Sequence, residues 1–148
     1  MYLGEERRQY ARYNATGMTA SISFQDETSS DVCVESVQPI DFNSFGMAIE
    51  TNLVFEKENR ISLDISCGRN HAPDILSIVR NVVNKGNKNR YGLQFDFAAN
   101  AHMRSEEVEE ILSSIEDTLK KNQNLPSRKA YRRNKAIDRR RRIKIIGR

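Results

Sequence analysis

Residues 75–97 read Ile-Leu-Ser-Ile-Val-Arg-Asn-Val-Val-Asn-Lys-Gly-Asn-Lys-Asn-Arg-Tyr-Gly-Leu-Gln-Phe-Asp-Phe and carry the clearest structural pattern in the chain. The apolar run at 75–83 is rich in β-branched residues, which favour strands, and the polar stretch 84–89 is typical of a hairpin turn. Apolar side chains then alternate with Gly, Gln and Asp, at Tyr91, Leu93, Phe95 and Phe97. Because a period of two is that of a half-buried strand, the stretch predicts a β-hairpin.

Shorter alternating runs precede this hairpin along the chain. They are separated by polar turns such as 25–30 and lie at 19–24, 31–37, 46–50 and 61–65. Pro39 has no backbone N–H to donate, so we expect it to interrupt the ladder of its strand. Several short alternating strands of this kind predict a mainly β fold, either an antiparallel barrel or a sandwich.

The spacing of apolar residues changes to that of a helix after residue 105. One face of this segment is apolar, with Val108, Ile111, Leu112, Ile115 and Leu119. Ser105 is the predicted N-cap, and the glutamates that follow it suit the positive end of the helix dipole. We therefore predict one C-terminal amphipathic helix that packs on the strands.

Charge is distributed unevenly over the 148 residues, although the formal net charge is only +4. Residues 126–148 hold 11 Lys and Arg residues and one acid, so the rest of the chain is net acidic. Runs of like charge are commonly interaction tails. We expect 123–148 to be a basic tail, partly disordered or helical, which either stays solvated or contacts nucleic acid, an anionic surface or an acidic partner.

Several functional classes lack their usual sequence signals. No apolar run approaches the roughly 20 residues of a membrane-spanning helix, and residues 1–7 lack a signal-peptide core, so we expect a cytoplasmic protein that is not transmembrane. Cys33 and Cys67 do not have metal-ligand spacing. We expect His71 and His102 to be isolated from each other and from any acidic partner or nucleophile, as surface or satisfied histidines are. We therefore expect no metal, no cofactor and no enzymatic activity.

Two polar motifs supply the functional signal. The first is Glu6-Arg7-Arg8-Gln9-Tyr10-Ala11-Arg12, and the second, about thirty residues later, is Asp41-Phe42-Asn43-Ser44-Phe45-Gly46. Their order, their spacing and the strands around them resemble the PilZ domain, a bacterial receptor module for cyclic di-GMP. The resemblance runs from about residue 5 to residue 97 and includes the late strand at 91–95, which is similar to the final strand of the family.

The resemblance implies a small antiparallel β-barrel of about six strands and a site for cyclic di-GMP. The ligand-binding residues that it implies are Arg7, Arg8, Arg12, Asp41, Asn43, Ser44 and Gly46. An arginine fork can bind phosphate oxygens or the O6/N7 edge of guanine, and Asp41 can accept hydrogen bonds from guanine N–H groups. Asn43 stands where the family usually has Ser. Arg7 lies directly before the pair Arg8 and Arg12, which are four residues apart, and an extra arginine in this place implies two stacked ligand molecules.

The expected organisation is an N-terminal arginine arm at 1–17, a PilZ-like barrel with its helix at 18–122, and the basic tail at 123–148. The expected function is a receptor that converts cyclic di-GMP binding into a change of interaction with a downstream protein. In this scheme the arm becomes ordered over the nucleotide. The family implies outputs such as motility or biofilm control, and the receptor could be a monomer or a homodimer.

An alternative function comes from the charge pattern. The chain could bind nucleic acid or a partner protein through its basic tail, with the barrel as a scaffold. This alternative predicts steeply salt-dependent binding that is lost when 126–148 are deleted and that does not depend on Arg8 or Arg12.

Overall fold

The computed structural model describes residues 11–25 and 31–123. Arg7, Arg8, most of the predicted turn 25–30 and the basic tail from residue 124 lie outside these residues. The described chain forms seven strands and one helix: β1 (Tyr13–Asn14), β2 (Met18–Gln25), β3 (Val32–Asn43), β4 (Gly46–Thr51), β5 (Arg60–Cys67), β6 (Asn70–Lys85), β7 (Lys88–Phe95) and α1 (Glu106–Gln123).

Six of the strands form a closed antiparallel barrel. The order around it is β3-β2-β5-β6-β7-β4, and β4 pairs with β3 to complete the ring. The short strand β1 adds to β3 through the pairs Tyr13↔Phe42 and Asn14↔Asp41. The prediction of a mainly β fold with about six barrel strands is confirmed, and the barrel is the correct choice of the two architectures.

The predicted hairpin is formed by β6 and β7, which pair from Ser77↔Phe95 to Lys85↔Lys88. The ladder changes register between Val79 and Asn81, so Arg80 is an additional residue in β6. Strand β7 ends at Phe95, earlier than the alternation up to Phe97 indicated. Asp96 N still donates a 2.8 Å hydrogen bond to Leu76 O of β6, and the chain then turns at Phe97 and Ala98, where Ala98 N donates a 3.2 Å hydrogen bond to the Asp96 side chain.

The ladder is irregular beside Pro39, as expected, because the register shifts between Pro39 and Asp41. The predicted end of this strand at residue 37 is wrong. Strand β3 continues through Pro39, which lies opposite Ile49 of β4. A local irregularity of this kind accommodates the missing donor without ending the strand, so β3 carries the second motif at its far end.

The apolar face of α1 covers the barrel. Val108, Leu112, Ile115 and Leu119 are all buried, while Ile111 is half-buried against the core. The predicted N-cap is present, because Val108 N donates to Ser105 Oγ over 3.2 Å. These contacts confirm the predicted amphipathic helix.

The last residue of α1 is bonded to β1. Asn14 N donates to Gln123 Oε1 over 3.1 Å, and Gln123 Nε2 donates to Asn14 O over 3.0 Å. Ala15, which follows β1, is buried in the core. Residues 11–17, the described part of the predicted arginine arm, therefore pack against the barrel. The predicted boundary between arm and barrel at residue 17 stays a prediction.

Tyr91 of β7 carries a polar group into the fully buried interior. Its hydroxyl accepts a 2.9 Å hydrogen bond from Phe55 N and donates a 2.8 Å hydrogen bond to Leu53 O. The ring of Phe55 also meets the Tyr91 ring edge-to-face at 5.5 Å between centroids. Tyr91 therefore fixes the irregular segment after β4 to the barrel.

We predict that Tyr91→Phe lowers the free energy of unfolding by about 1–3 kcal/mol, because the part-buried Phe55 N loses its hydrogen-bond partner and Leu53 O keeps only the 3.3 Å hydrogen bond from Asn89 Nδ2. Urea denaturation monitored by circular dichroism measures this change. The slope of the unfolding free energy against urea concentration should stay the same, because unfolding exposes the same amount of surface in both proteins. An unchanged midpoint would show that the hydroxyl does not stabilise this segment.

Candidate functional site

The two sequence motifs come together where β1 pairs with the end of β3. Arg12 directly precedes β1, and its Nη1 lies 3.0 Å from Oδ1 of Asp41. The two side chains are 23% and 26% exposed, so the ion pair is shielded from solvent on most sides. The structure thus joins the last arginine of the first motif to the first residue of the second.

Asn43 holds the turn between β3 and β4. Its Oδ1 accepts hydrogen bonds from Phe45 N at 2.8 Å and from Gly46 N at 3.0 Å, while its Nδ2 donates to Ala11 O at 3.1 Å. Asn43 as a whole residue is 5% exposed. Asn43 therefore positions both the turn and the chain before Arg12, as Asn side chains often do in turns. Direct contact with a ligand stays a prediction.

Ser44 is directed towards α1. Its backbone N donates to Glu116 Oε1 over 2.7 Å, and its Oγ donates to the same oxygen. The predicted ligand contact of Ser44 is not tested by this arrangement. Sequence reasoning missed Glu116, because it lies among other charged residues on the polar side of a helix.

Gly46 is required by a close approach of backbones. A Cβ atom at this position would lie 2.3 Å from the carbonyl oxygen of Leu93 in β7. In the sequence analysis this glycine was one of the ligand-binding residues that the family resemblance implies, a role that stays a prediction. The contact shows that Gly46 also allows β4 and β7 to pair at this point.

A groove with a volume of about 660 Å³ lies beside the Arg12–Asp41 pair. It runs over the outer face of the barrel. Successive residues of a strand face opposite sides of the sheet. Met47 and Tyr91 are buried inside the barrel, so their neighbours Ala48 and Gly92 lie on its outer face. The residues that line it are Arg12, Asp41, Asn43, Phe45, Gly46, Ala48, Arg80, Asn81, Val83, Arg90, Gly92, Leu93 and Gln94.

Two lining arginines were missed by sequence reasoning. Arg80 donates from Nη1 to both carboxylate oxygens of Glu58 at 2.7 and 2.9 Å, and from Nε to Gln94 Oε1 at 2.7 Å. Arg90 donates from Nε and Nη2 to Glu50 Oε2 at 3.1 and 2.7 Å. The sequence did offer one signal for this side of the groove, because Arg80 is a charged residue within the apolar run at 75–83.

Ion pairing also changes the acidity of nearby carboxyl groups. The hydrogen bond from Arg90 lowers the pKa of Glu50 from its usual value of 4.5, and the positive charges of Arg90, Lys85 and Lys88 act in the same direction. The hydrogen bond from Arg60 likewise lowers the pKa of Asp96. Both carboxyl groups favour the ionised form.

His71 has an acidic partner that the sequence did not reveal, since its Nε2 contacts Oδ1 of Asp64 on the neighbouring strand. Both side chains are about half exposed. Within residues 11–25 and 31–123, no cluster of three or more His, Cys, Asp or Glu residues could hold a metal ion. No helix in this part of the chain is long and apolar enough to span a membrane.

A family model of the PilZ domain matches residues 6–113. The chain belongs to the PilZ domain family. The match includes both motifs, all seven strands and the first part of α1. A comparison with curated proteins finds no match.

Two solved structures share the fold of this PilZ domain. The first is YcgR from Escherichia coli in complex with c-di-GMP, with a TM-score of 0.61, 16% identity and coverage of 84% of this chain and 50% of that one. The second is the PilZ domain of the same protein with c-di-GMP, with a TM-score of 0.56, 16% identity and coverage of 84% and 98%. The chain thus spans half the length of the first structure.

We predict that Gly46→Ala lowers the free energy of unfolding by about 2–3 kcal/mol, because the new methyl group would overlap backbone of β7. Gly92→Ala is the matched control on the adjacent strand. Its Cβ would lie 3.2 Å from the Asn81 side-chain nitrogen, which can move aside. This control should cost less than about 1 kcal/mol. Equal losses in thermal or urea denaturation would contradict the steric explanation.

We predict that Glu50→Gln reduces stability at neutral pH and that this difference disappears in acid. Because the folded-state pKa of Glu50 is lowered, its contribution is present above the usual value of 4.5 and is lost as pH falls through the folded pKa. Thermal denaturation of both proteins across this pH range measures the effect. Glu35→Gln, at an exposed position of β3, is the control. The same pH profile for both substitutions would contradict the prediction.

Proposed function

We propose that this PilZ-domain protein is a receptor for cyclic di-GMP. The observation that carries the proposal is the Arg12–Asp41 ion pair, which brings the two motifs together beside one groove. Asn43 strengthens the same junction, because its amide binds the carbonyl oxygen of Ala11. The related YcgR structures, which hold c-di-GMP, have the same barrel fold.

The groups at this wall of the groove suit a guanine nucleotide. The contact with Asp41 uses Nη1 of Arg12, and a guanidinium group carries five N–H donors, so further donors can serve a phosphate or a guanine edge. The second oxygen of the Asp41 carboxylate can accept hydrogen bonds from guanine. The ion pair thereby holds both groups in place before the ligand arrives.

The proposed mechanism is closure of the arm over the bound nucleotide. Arg7 and Arg8 follow one another shortly before Ala11, which Asn43 attaches to the turn. Their contacts with the ligand would stabilise a closed arrangement, and a ligand shifts such an equilibrium only by its greater affinity for one state. Closure would change the surface that a downstream protein contacts. Arg7 would also allow a second, stacked ligand molecule.

We predict that cyclic di-GMP binds the full-length chain and that Arg12→Ala weakens binding by at least about tenfold. A charge-assisted hydrogen bond contributes about 1.5–3 kcal/mol, which corresponds to this factor or more. Isothermal titration calorimetry measures the affinity and the number of ligands bound. The double variant Arg8→Ala/Arg12→Ala should show no measurable binding.

The controls for this titration are a distant arginine and a different base. Arg69→Ala alters an exposed residue in the turn between β5 and β6 and should bind like wild type. Cyclic di-AMP should bind more weakly, because adenine lacks the O6 acceptor of guanine. If neither the wild type nor Arg69→Ala binds cyclic di-GMP in two independent assays, the receptor function is wrong. Steeply salt-dependent binding of nucleic acid that Arg12→Ala leaves unchanged would then favour a function of the basic tail.

A further inference from the structure

The groove has two walls, and the sequence motifs account for one of them. Four strands cross it side by side, and one row of paired residues runs from Asp41 through Ala48 and Gly92 to Asn81. At roughly 4.8 Å between strands, the two ends of this row are about 14 Å apart along the surface. Arg12 and Asp41 stand at one end, so they contact only one side of a ligand that fills the groove.

The floor between the walls is nearly free of side chains. Ala48 and Gly92 occupy the two central positions of the row, and Gly46 lies beside them on β4. A planar base can therefore lie against this surface without meeting a bulky side chain. The floor does not supply charge, so any charged contact on the far side must come from β6 and β7.

Arg80 and Arg90 supply positive charge on that side. Arg80 is the additional residue at the register shift of β6, and irregularities of this kind often redirect a side chain. Its contacts with Glu58 and Gln94 hold the guanidinium group at the rim of the groove. Arg90 is held in a similar way by Glu50. The two side chains are 42% and 37% exposed, so a ligand can reach them.

We propose that Arg80 and Arg90 form a second ligand-binding wall, which contacts the half of cyclic di-GMP that Arg12 and Asp41 do not contact. This inference rests on the proposed function. The ligand has two phosphates and two guanines, so its second half presents the same chemical groups as the first. Arginine is suited to both groups, and the amides of Asn81 and Gln94 can bind a base edge beside them.

The test compares Arg80→Met and Arg90→Met with wild type in calorimetric titrations of cyclic di-GMP. Methionine keeps an unbranched apolar stem but removes the charge. Each substitution should weaken binding by at least about tenfold. Arg60→Met is the matched control, because Arg60 is also a strand arginine paired with a carboxylate, Asp96, but does not line the groove. It should bind like wild type.

A second variant separates ligand contact from a purely structural role. Glu58→Gln removes the ion pair of Arg80 but keeps the arginine, so binding should stay within about twofold of wild type or become tighter. If Glu58→Gln weakens binding as much as Arg80→Met does, Arg80 acts through the ion pair and the inference is overturned. Melting temperatures of all variants show whether each one is folded.

The outcomes also separate this inference from the proposed function. If wild type does not bind cyclic di-GMP, the proposed function fails and the second wall fails with it. If wild type binds, Arg12→Ala binds at least about tenfold more weakly, and both Arg80→Met and Arg90→Met bind like wild type, the second wall alone is wrong. Loss of affinity in the two wall variants, with normal binding by Arg60→Met and Glu58→Gln, supports it.

Discussion

Strand β4 closes the barrel, because it pairs with β3 along one edge and with β7 along the other. The groove depends on this closure, since the motif-bearing end of β3 and the arginines of β6 and β7 become neighbours only through β4. The strand is six residues long, and at its first residue the backbone of β7 leaves no space for a side chain. One short strand thus positions both walls.

The turn at the start of β4 is bonded to two other segments of the molecule, which are in turn bonded to each other. Asn43 bonds the turn to the chain before β1, and Ser44 bonds it to Glu116 of α1. Gln123 then bonds the end of α1 to β1. The second motif therefore has a structural role in this protein in addition to any contact with a ligand, and its polar residues are held by partners far away in the sequence.

Periodic patterns were sufficient to predict most of the fold. The β6–β7 hairpin and α1 follow from regular spacing of apolar residues, whereas the predicted strand ends near Pro39 and at Phe97 are wrong, at places where the backbone departs from regular geometry. The motifs assigned Arg12 and Asp41 to one ligand site, and their direct ion pair is a finding of the structure. Arg80 and Arg90 were not predicted, because their position beside the motifs depends on the order of strands around the barrel, and the charge of Arg80 within an apolar run does not show which residues lie near it.

The groove floor has a consequence for how the protein can evolve. This floor consists mostly of main chain, at Gly46, Ala48 and Gly92. The side chains behind it belong to the core. If the proposed function holds, substitutions at the walls can alter ligand preference while the core stays intact, because the wall residues point away from it. Enlarging the floor residues would instead reduce the space available to the proposed ligand. Divergence within such a barrel is therefore expected to be concentrated at the rim of the groove.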